Sequence, residues 1–376
     1  MAVYLDYNAS APIDPRVLDY MIEVYRTHWG NADSRTHIFG AEAKELVNHS
    51  RLTIAELLGV DSTDLFFTSG STESNNMVVL GLLEYALTSG RNHFITTAIE
   101  HKSVIESMHF LQSHGCEVTF VAPTSSGRVE PEQILERVTD KTLLVSVMHV
   151  NSETGIIQPI RAIGDALFDS PVYFHVDATQ SFGKLNEELR QVKYDMLSVT
   201  AHKLGGPQGI GALVLRRDSR YQRPPVKPLM YGGQQERSFR PGTTPVALVA
   251  GFALAAQLCD NEADQRIKIC KKIKAQFFDE IEGLDYALNG APQFCLPTTV
   301  NISFSGVDAE GLFLALKDEY AFSNGSACNS GSHHPSYVLS EMGLSEQRIN
   351  EAIRISWSGE TKVSFLPLVK YIQSAI

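Results

Sequence analysis

Tyr173-Phe174-His175-Val176-Asp177-Ala178-Thr179-Gln180 opens as an apolar, strand-like run and stops at a carboxylate and an amide. A second run, Ser198-Val199-Thr200-Ala201-His202-Lys203, stops at a hydroxyl, an imidazole and an amine. In an open α/β sheet ligands sit beyond the strand ends, so Asp177 and Lys203 could face one pocket. A carboxylate to hold a protonated pyridine nitrogen, with a lysine to form an imine, is the pair that pyridoxal phosphate (PLP) requires. Each residue also has an ordinary reading, Asp177 as a turn cap and Lys203 as a solvated surface lysine. The decision rests on what else in the chain points to the same place.

Working outward, Leu65-Phe66-Phe67-Thr68 reads as a buried strand running into Ser69-Gly70-Ser71-Thr72-Glu73-Ser74-Asn75-Asn76 and then an apolar helix at 77–87. Backbone N–H groups, hydroxyls and a helix dipole converge at such a turn and make an anion cradle, with Ser71 and Thr72 as candidate phosphate ligands. The competing reading is an ordinary N-cap. A strand at 94–97 ends at Glu100-His101-Lys102-Ser103, where an imidazole could stack on a cofactor or shuttle a proton, although a lone histidine is more often a satisfied core residue. Further strands at 118–121, 143–148 and 212–215 repeat the pattern of strand, polar end and helix. This predicts an α/β fold with a mainly parallel sheet covered by helices. Residues 41–58 read as a helix closed by Gly59, and Asp14-Pro15-Arg16 as a helix start. The texture changes after Pro245. The expected organisation is an N-terminal segment (1–14) that packs with the small domain, a large domain (15–250) and a smaller α+β domain (251–376).

The chain has 376 residues, 43% hydrophobic and 20% charged, which suits an ordinary soluble protein with two lobes. A net charge of −11 argues against direct nucleic-acid binding. No secretory signal is read at the start, and the apolar stretch at 246–258 is too short to span a bilayer. Five cysteines form no Cys-x-x-Cys pair, so no metal site is expected and the cytoplasm is the simplest compartment. Gly232-Gly233 and Arg240-Pro241-Gly242-Thr243-Thr244 are glycine-rich without matching a dinucleotide fingerprint, and could supply another hydroxyl for phosphate.

Cys328 stands apart. It lies in Ser323-Asn324-Gly325-Ser326-Ala327-Cys328-Asn329-Ser330-Gly331-Ser332-His333-His334-Pro335, a stretch that cannot build a core. An accessible thiol with thiolate character is a nucleophile, and His101, His333 and His334 are candidates to deprotonate it. Ile353-Arg354-Ile355-Ser356-Trp357 buries an arginine in an apolar strand, for which a substrate carboxylate or an internal salt bridge would each account.

Assembled, these pieces resemble the NifS/IscS-type cysteine desulfurases, within the class V aminotransferase branch of fold-type I PLP enzymes. The resemblance runs over nearly the whole chain. Its carriers are Leu5-Asp6-Tyr7, Gly30-Asn31, Thr68 to Ser74, Glu100-His101-Lys102, Met148-His149-Val150-Asn151, His175 to Gln180, His202-Lys203, Gly242-Thr243 and Gly325-Ser326-Ala327-Cys328. It implies a seven-stranded, mainly parallel sheet and a homodimer. Lys203 would bind PLP, Asp177 the pyridine nitrogen and Gln180 the phenolic oxygen, with His101 stacked on the ring. Ser71, Thr72, Thr200 and His202 would hold the phosphate, joined by Thr243 from the other protomer. Asn31 and Arg354 would take the carboxylate of L-cysteine. Cys328 would attack the sulfur and carry it to an acceptor protein, and its loop resembles that of the family's mobile-loop group. Ala32, Ser152, Asn329 and Gly331 depart from the usual pattern. Ser152 replaces a second asparagine that touches the cofactor. The departures suggest a branch with a dedicated acceptor, as in tRNA thiolation or DNA phosphorothioation, and not necessarily the housekeeping enzyme of iron–sulfur assembly. The alternative is a class V aminotransferase or selenocysteine lyase on the same PLP site, and a third reading is a degenerate scaffold.

Overall fold

Seven short runs of apolar residues build the main sheet: β1 (Leu65–Thr68), β2 (His93–Thr97), β3 (Glu117–Val121), β4 (Thr142–Met148), β5 (Tyr173–Asp177), β6 (Met196–Thr200) and β7 (Gly211–Leu215). The computed structural model describes residues 2–323 and 335–375. Strands β1, β4, β6 and β7 are buried along their whole length, which is why they read as continuous apolar runs rather than alternating ones. The order is β1-β7-β6-β5-β4-β2-β3. Pairings β2–β3, β2–β4, β4–β5 and β5–β6 are parallel, while β7 runs antiparallel to both neighbours. Six strands therefore point one way, and their C-terminal ends share one edge of the sheet. The mainly parallel, seven-stranded α/β sheet is as expected.

Helices cover both faces. On one side α1 (Pro15–Thr27), α2 (Ile38–Leu58) and α5 (Val246–Asn261) bury Val17, Ala43, Ile54, Val249 and Phe252 against Val145, Val176 and Val199. Asp14 caps α1 by accepting the Arg16 N–H, and Gly59, at φ 65°, closes α2 in the left-handed conformation. On the other side α3 (Ser71–Gly81) and α4 (Lys102–Ser113) pack Val78, Val104 and Met108 against Phe66, Phe94 and Leu213.

A second core forms around β8 (Tyr286–Leu288), β9 (Thr299–Phe304) and β10 (Ala352–Ser356), an antiparallel sheet in the order β10-β9-β8. Helices α6 (Ala263–Glu280), α7 (Ala309–Leu316) and α8 (Leu366–Ala375) complete it through Phe277, Leu312 and Leu368. The expected boundary at residue 250 falls inside α5, whose buried side chains join the first core. The change of core comes at Glu262. Leu5 belongs to the second core, and Val3–Tyr4 pairs in parallel with Tyr320–Ala321. The N-terminal segment then crosses to the main sheet, where Ala11 N–H donates to the His202 carbonyl and Asp14 N–H to that of Gly205. Among the described residues, no helix is long and apolar enough to cross a membrane.

Candidate active site

The shared C-terminal edge of the sheet opens on a cavity of about 580 Å³. Asp177 ends β5, its register partner Met148 ends β4, and Thr200 ends β6 three residues before Lys203. Asp177, Lys203, Ser71, Thr72, His101, Ser152, Gln180, Thr200, His202 and Arg354, all singled out from the sequence, line this one space.

The expected anion cradle lies where β1 runs into α3. Gly70, not a serine or threonine, is the N-cap of α3, at φ 150°, and no side chain caps the helix. The N-cap reading of Ser71 therefore fails, and its Oγ is buried without a partner. Gly211 lets the chain close beneath the turn, because a Cβ there would lie 2.6 Å from the Val199 carbonyl oxygen and 2.7 Å from Gly70 Cα.

Asp177 is held from both sides. Its Oδ1 accepts the Thr179 N–H at 2.9 Å and also the Thr179 hydroxyl. Its Oδ2 accepts an Asn75 amide N–H at 2.8 Å. Asn75 spends its second N–H on Ser103 Oγ at 2.9 Å, and Ser103 Oγ lies 2.8 Å from His101 Nδ1. That Nδ1 also accepts the Ser103 backbone N–H at 3.1 Å, so it is the unprotonated nitrogen and Nε2 carries the hydrogen. Asp177 and His101 are thus joined by one chain of oriented hydrogen bonds.

The Lys203 ammonium donates to the Asn8 carbonyl and, at 2.6 Å, to that of Ala9. Gln180 Nε2 donates to the same Asn8 carbonyl at 2.9 Å. Burial, reinforced by the Lys203 charge, holds His202 down at about 4, so its imidazole is neutral. Arg354, 2% exposed, donates from Nη2 to Asp6 at 2.5 Å and from Nη1 to the Ser152 carbonyl at 3.0 Å. The internal salt bridge considered for it is present, and the guanidinium still borders the cavity. Glu100, fully buried beside the site, is pushed up to about 8 by burial, partly offset by hydrogen bonds from the Thr97 hydroxyl and the Met148 N–H.

Residues 3–362 match the class-V aminotransferase family. The chain is 40% identical to the cysteine desulfurase IscS of Rickettsia typhi over 356 residues, which covers 94% of this chain and 86% of that one. The chain belongs to the NifS/IscS-type cysteine desulfurases. The crystal structure of DndA from Streptomyces lividans superposes on the desulfurase with a TM-score of 0.83 at 40% identity, covering 93% of this chain and 98% of that one. SspA in complex with cysteine does so at 0.85 and 34% identity, covering 96% and 100%. The desulfurase is accordingly a PLP-dependent enzyme of α/β fold-type I architecture.

The residues present fit that cofactor. Ser71 Oγ, Asn75 Oδ1 and Gln180 Oε1 are buried around the cavity with no hydrogen-bond partner, as polar atoms awaiting a polar ligand would be. Two residues expected at the site do not line it within one chain. Asn31 is exposed, its Oδ1 accepting the Asp33 N–H, and Thr243 is exposed on the glycine-rich segment. Cys328, His333 and His334 lie outside the described residues. Sequence reasoning missed Asn8, which acts through its carbonyl, and Asn75 and Ser103. The available signal for Asn75 was its position one helical turn from Ser71, at the start of an otherwise apolar helix.

Proposed function

We propose that the desulfurase takes L-cysteine into the cavity at the sheet edge and delivers its sulfur to Cys328. The observation that carries the assignment of roles is the convergence of Asp177, Lys203 and the uncapped helix start at Ser71 on one space. When bound, PLP supplies an electron sink for the pair left on the α-carbon. Asp177, steadied by Thr179 and Asn75, would accept a hydrogen bond from the pyridine nitrogen and keep that nitrogen protonated. Ser71, Thr72, Thr200, the neutral His202 and the α3 N–H groups would hold the phosphate. Lys203 would hold the cofactor through its amine and, once freed by substrate, take the α-proton of cysteine. His101, its Nδ1 occupied by Ser103, would turn its Nε2–H to the cofactor, while Gln180 has one amide N–H left that would serve the phenolic oxygen. Arg354 would bind the substrate carboxylate, and the exposed position of Asn31 makes it the weaker candidate. The Cys328 thiolate attacks the substrate sulfur and the carbon–sulfur bond breaks. Its electron pair stays on carbon and is protonated to L-alanine, leaving a persulfide on Cys328.

Thr243 would complete the phosphate site from the other subunit of a homodimer, in keeping with its exposure and its absence from the cavity lining of its own chain. The persulfide then passes to an acceptor protein. With a net charge of −11, nucleic acid would be served through that partner. Lys203→Ala tests the site. The variant is expected to lose the yellow lysine-linked chromophore and all release of alanine, and wild-type turnover in it would rule the assignment out.

A further inference from the structure

A second cavity, of about 310 Å³, lies between the two cores, and Lys203 borders both it and the cofactor cavity. Much of its wall is apolar, Ile157 and Leu204 from the large lobe and Leu296 and Trp357 from the small one, with the thiols of Cys259 and Cys270 between them; Asp14 and Glu360 also line it, beside Arg266. Among the described residues, one cation there forms no ion pair with a carboxylate. Lys184 lines the cavity, and the groups that act on its amine are those two thiols, with no carboxylate among them. Both thiols are pushed up by burial, Cys270 to about 11, so at neutral pH neither offers a negative charge. Arg266, on the same wall, shows the contrast, since Glu262 at 2.7 Å and Asp14 at 3.6 Å balance it. Burial pulls Lys184 down to about 8, which still leaves it mostly cationic at neutral pH. Lys184 is half-buried, so its amine is only partly hydrated, and a bound anion would give it the paired charge it lacks. Beside the cavity α6 carries a group of lysines, with Asp264 among them. Lys271 borders the cavity, and the exposed Lys268 and Lys272 continue from it along α6, in a protein whose net charge is −11.

We propose that this cavity is a binding site for a small carboxylate with an apolar tail, the carboxylate pairing with Lys184 and the tail lying against Leu204, Leu296 and Trp357. A cavity of about 150 Å³ accommodates benzene, so the space here suits a tail of about eight carbons. The binding claim is independent of the roles given to Lys203 and Cys328, and its test does not read turnover.

Octanoate is the probe, titrated calorimetrically into the PLP-loaded enzyme, with acetate in parallel. Octanoate is expected to bind once per chain and acetate far more weakly. Lys184→Met, close in shape and uncharged, is expected to weaken octanoate at least about tenfold, and Lys184→Arg to retain it. In the wild type, octanoate should also slow acylation of Lys184 by acetic anhydride, followed residue by residue by mass spectrometry, a readout that needs no variant to fold. Absence of octanoate binding at millimolar concentration, equal affinity in Lys184→Met, or no protection of Lys184 would each overturn the proposal.

Discussion

Asn75 shows how much of this site depends on a residue that need not touch the reacting atoms. Its two N–H groups point at Asp177 and Ser103, so it holds the carboxylate and, through Ser103, fixes which nitrogen of His101 bears the hydrogen. Hydrogen bonds to charged groups contribute about 1.5–3 kcal/mol. Asn75→Ala is therefore expected to weaken PLP retention by roughly ten- to a hundredfold. Asn75→Asp should be worse, because a second carboxylate would stand against Asp177. The rate of PLP release into a trapping buffer measures both, and a wild-type rate in either variant would remove Asn75 from the network. Glu100 makes a pH prediction. Its carboxyl is held at about 8 in the fold against an ordinary 4.5, so the folded chain keeps a proton that the unfolded chain releases. Stability from this group is fully present below about pH 4.5 and is lost as pH rises to about 8, a decline of at most about 5 kcal/mol. Denaturant melts of wild type and Glu100→Gln across that window should diverge, the wild type losing ground as pH rises. Parallel curves would mean that Glu100 does not hold its proton.

The start of α3 and the strand ends around it form the working element. Ser71 Oγ has no protein partner, so Ser71→Ala should leave the melting temperature of the cofactor-free protein nearly unchanged. The same substitution should loosen PLP by about tenfold or more. Gly211→Ala should instead destabilise the protein with and without cofactor, because its Cβ would meet backbone on two sides. Thermal melts and PLP titrations of the two variants separate a ligand contact from a packing constraint, and equal melting losses would contradict the distinction. These ends were legible in the sequence because strand, polar residues and helix follow one another there without interruption. Other features were not. Residues 246–281 read as one helical region, yet two helices meet at Glu262, where ion pairs to Arg16 and Arg266 from distant and local chain mark the junction without a glycine or proline. Asn8 contributes a main-chain carbonyl, which no side-chain code announces.

At the scale of the molecule, the N-terminal segment ties the lobes together. Leu5 sits in the small core, Asp6 holds Arg354, Asn8 and Ala9 hold Lys203, and Ala11 reaches His202. Asp6 and Arg354 are 348 residues apart in sequence, so the salt bridge could be considered beforehand but its partner could not be named. Asn31 and Thr243 took their specific roles only from resemblance, and neither lines the cavity of its own chain. The central claim is that one cavity, with Lys203 at its wall, moves the sulfur of cysteine onto Cys328. It is tested most directly by locating that sulfur. PLP-loaded enzyme is exposed to L-cysteine without reductant, alkylated, digested and mapped by mass spectrometry. The account predicts one extra sulfur on Cys328 in the wild type and none in Lys203→Ala. In Cys328→Ser no other cysteine should take it up, although that variant should still bind cysteine and change colour. Extra sulfur carried by Cys116, Cys259, Cys270 or Cys295 in its place, or near-normal sulfide release by Cys328→Ser, would contradict it.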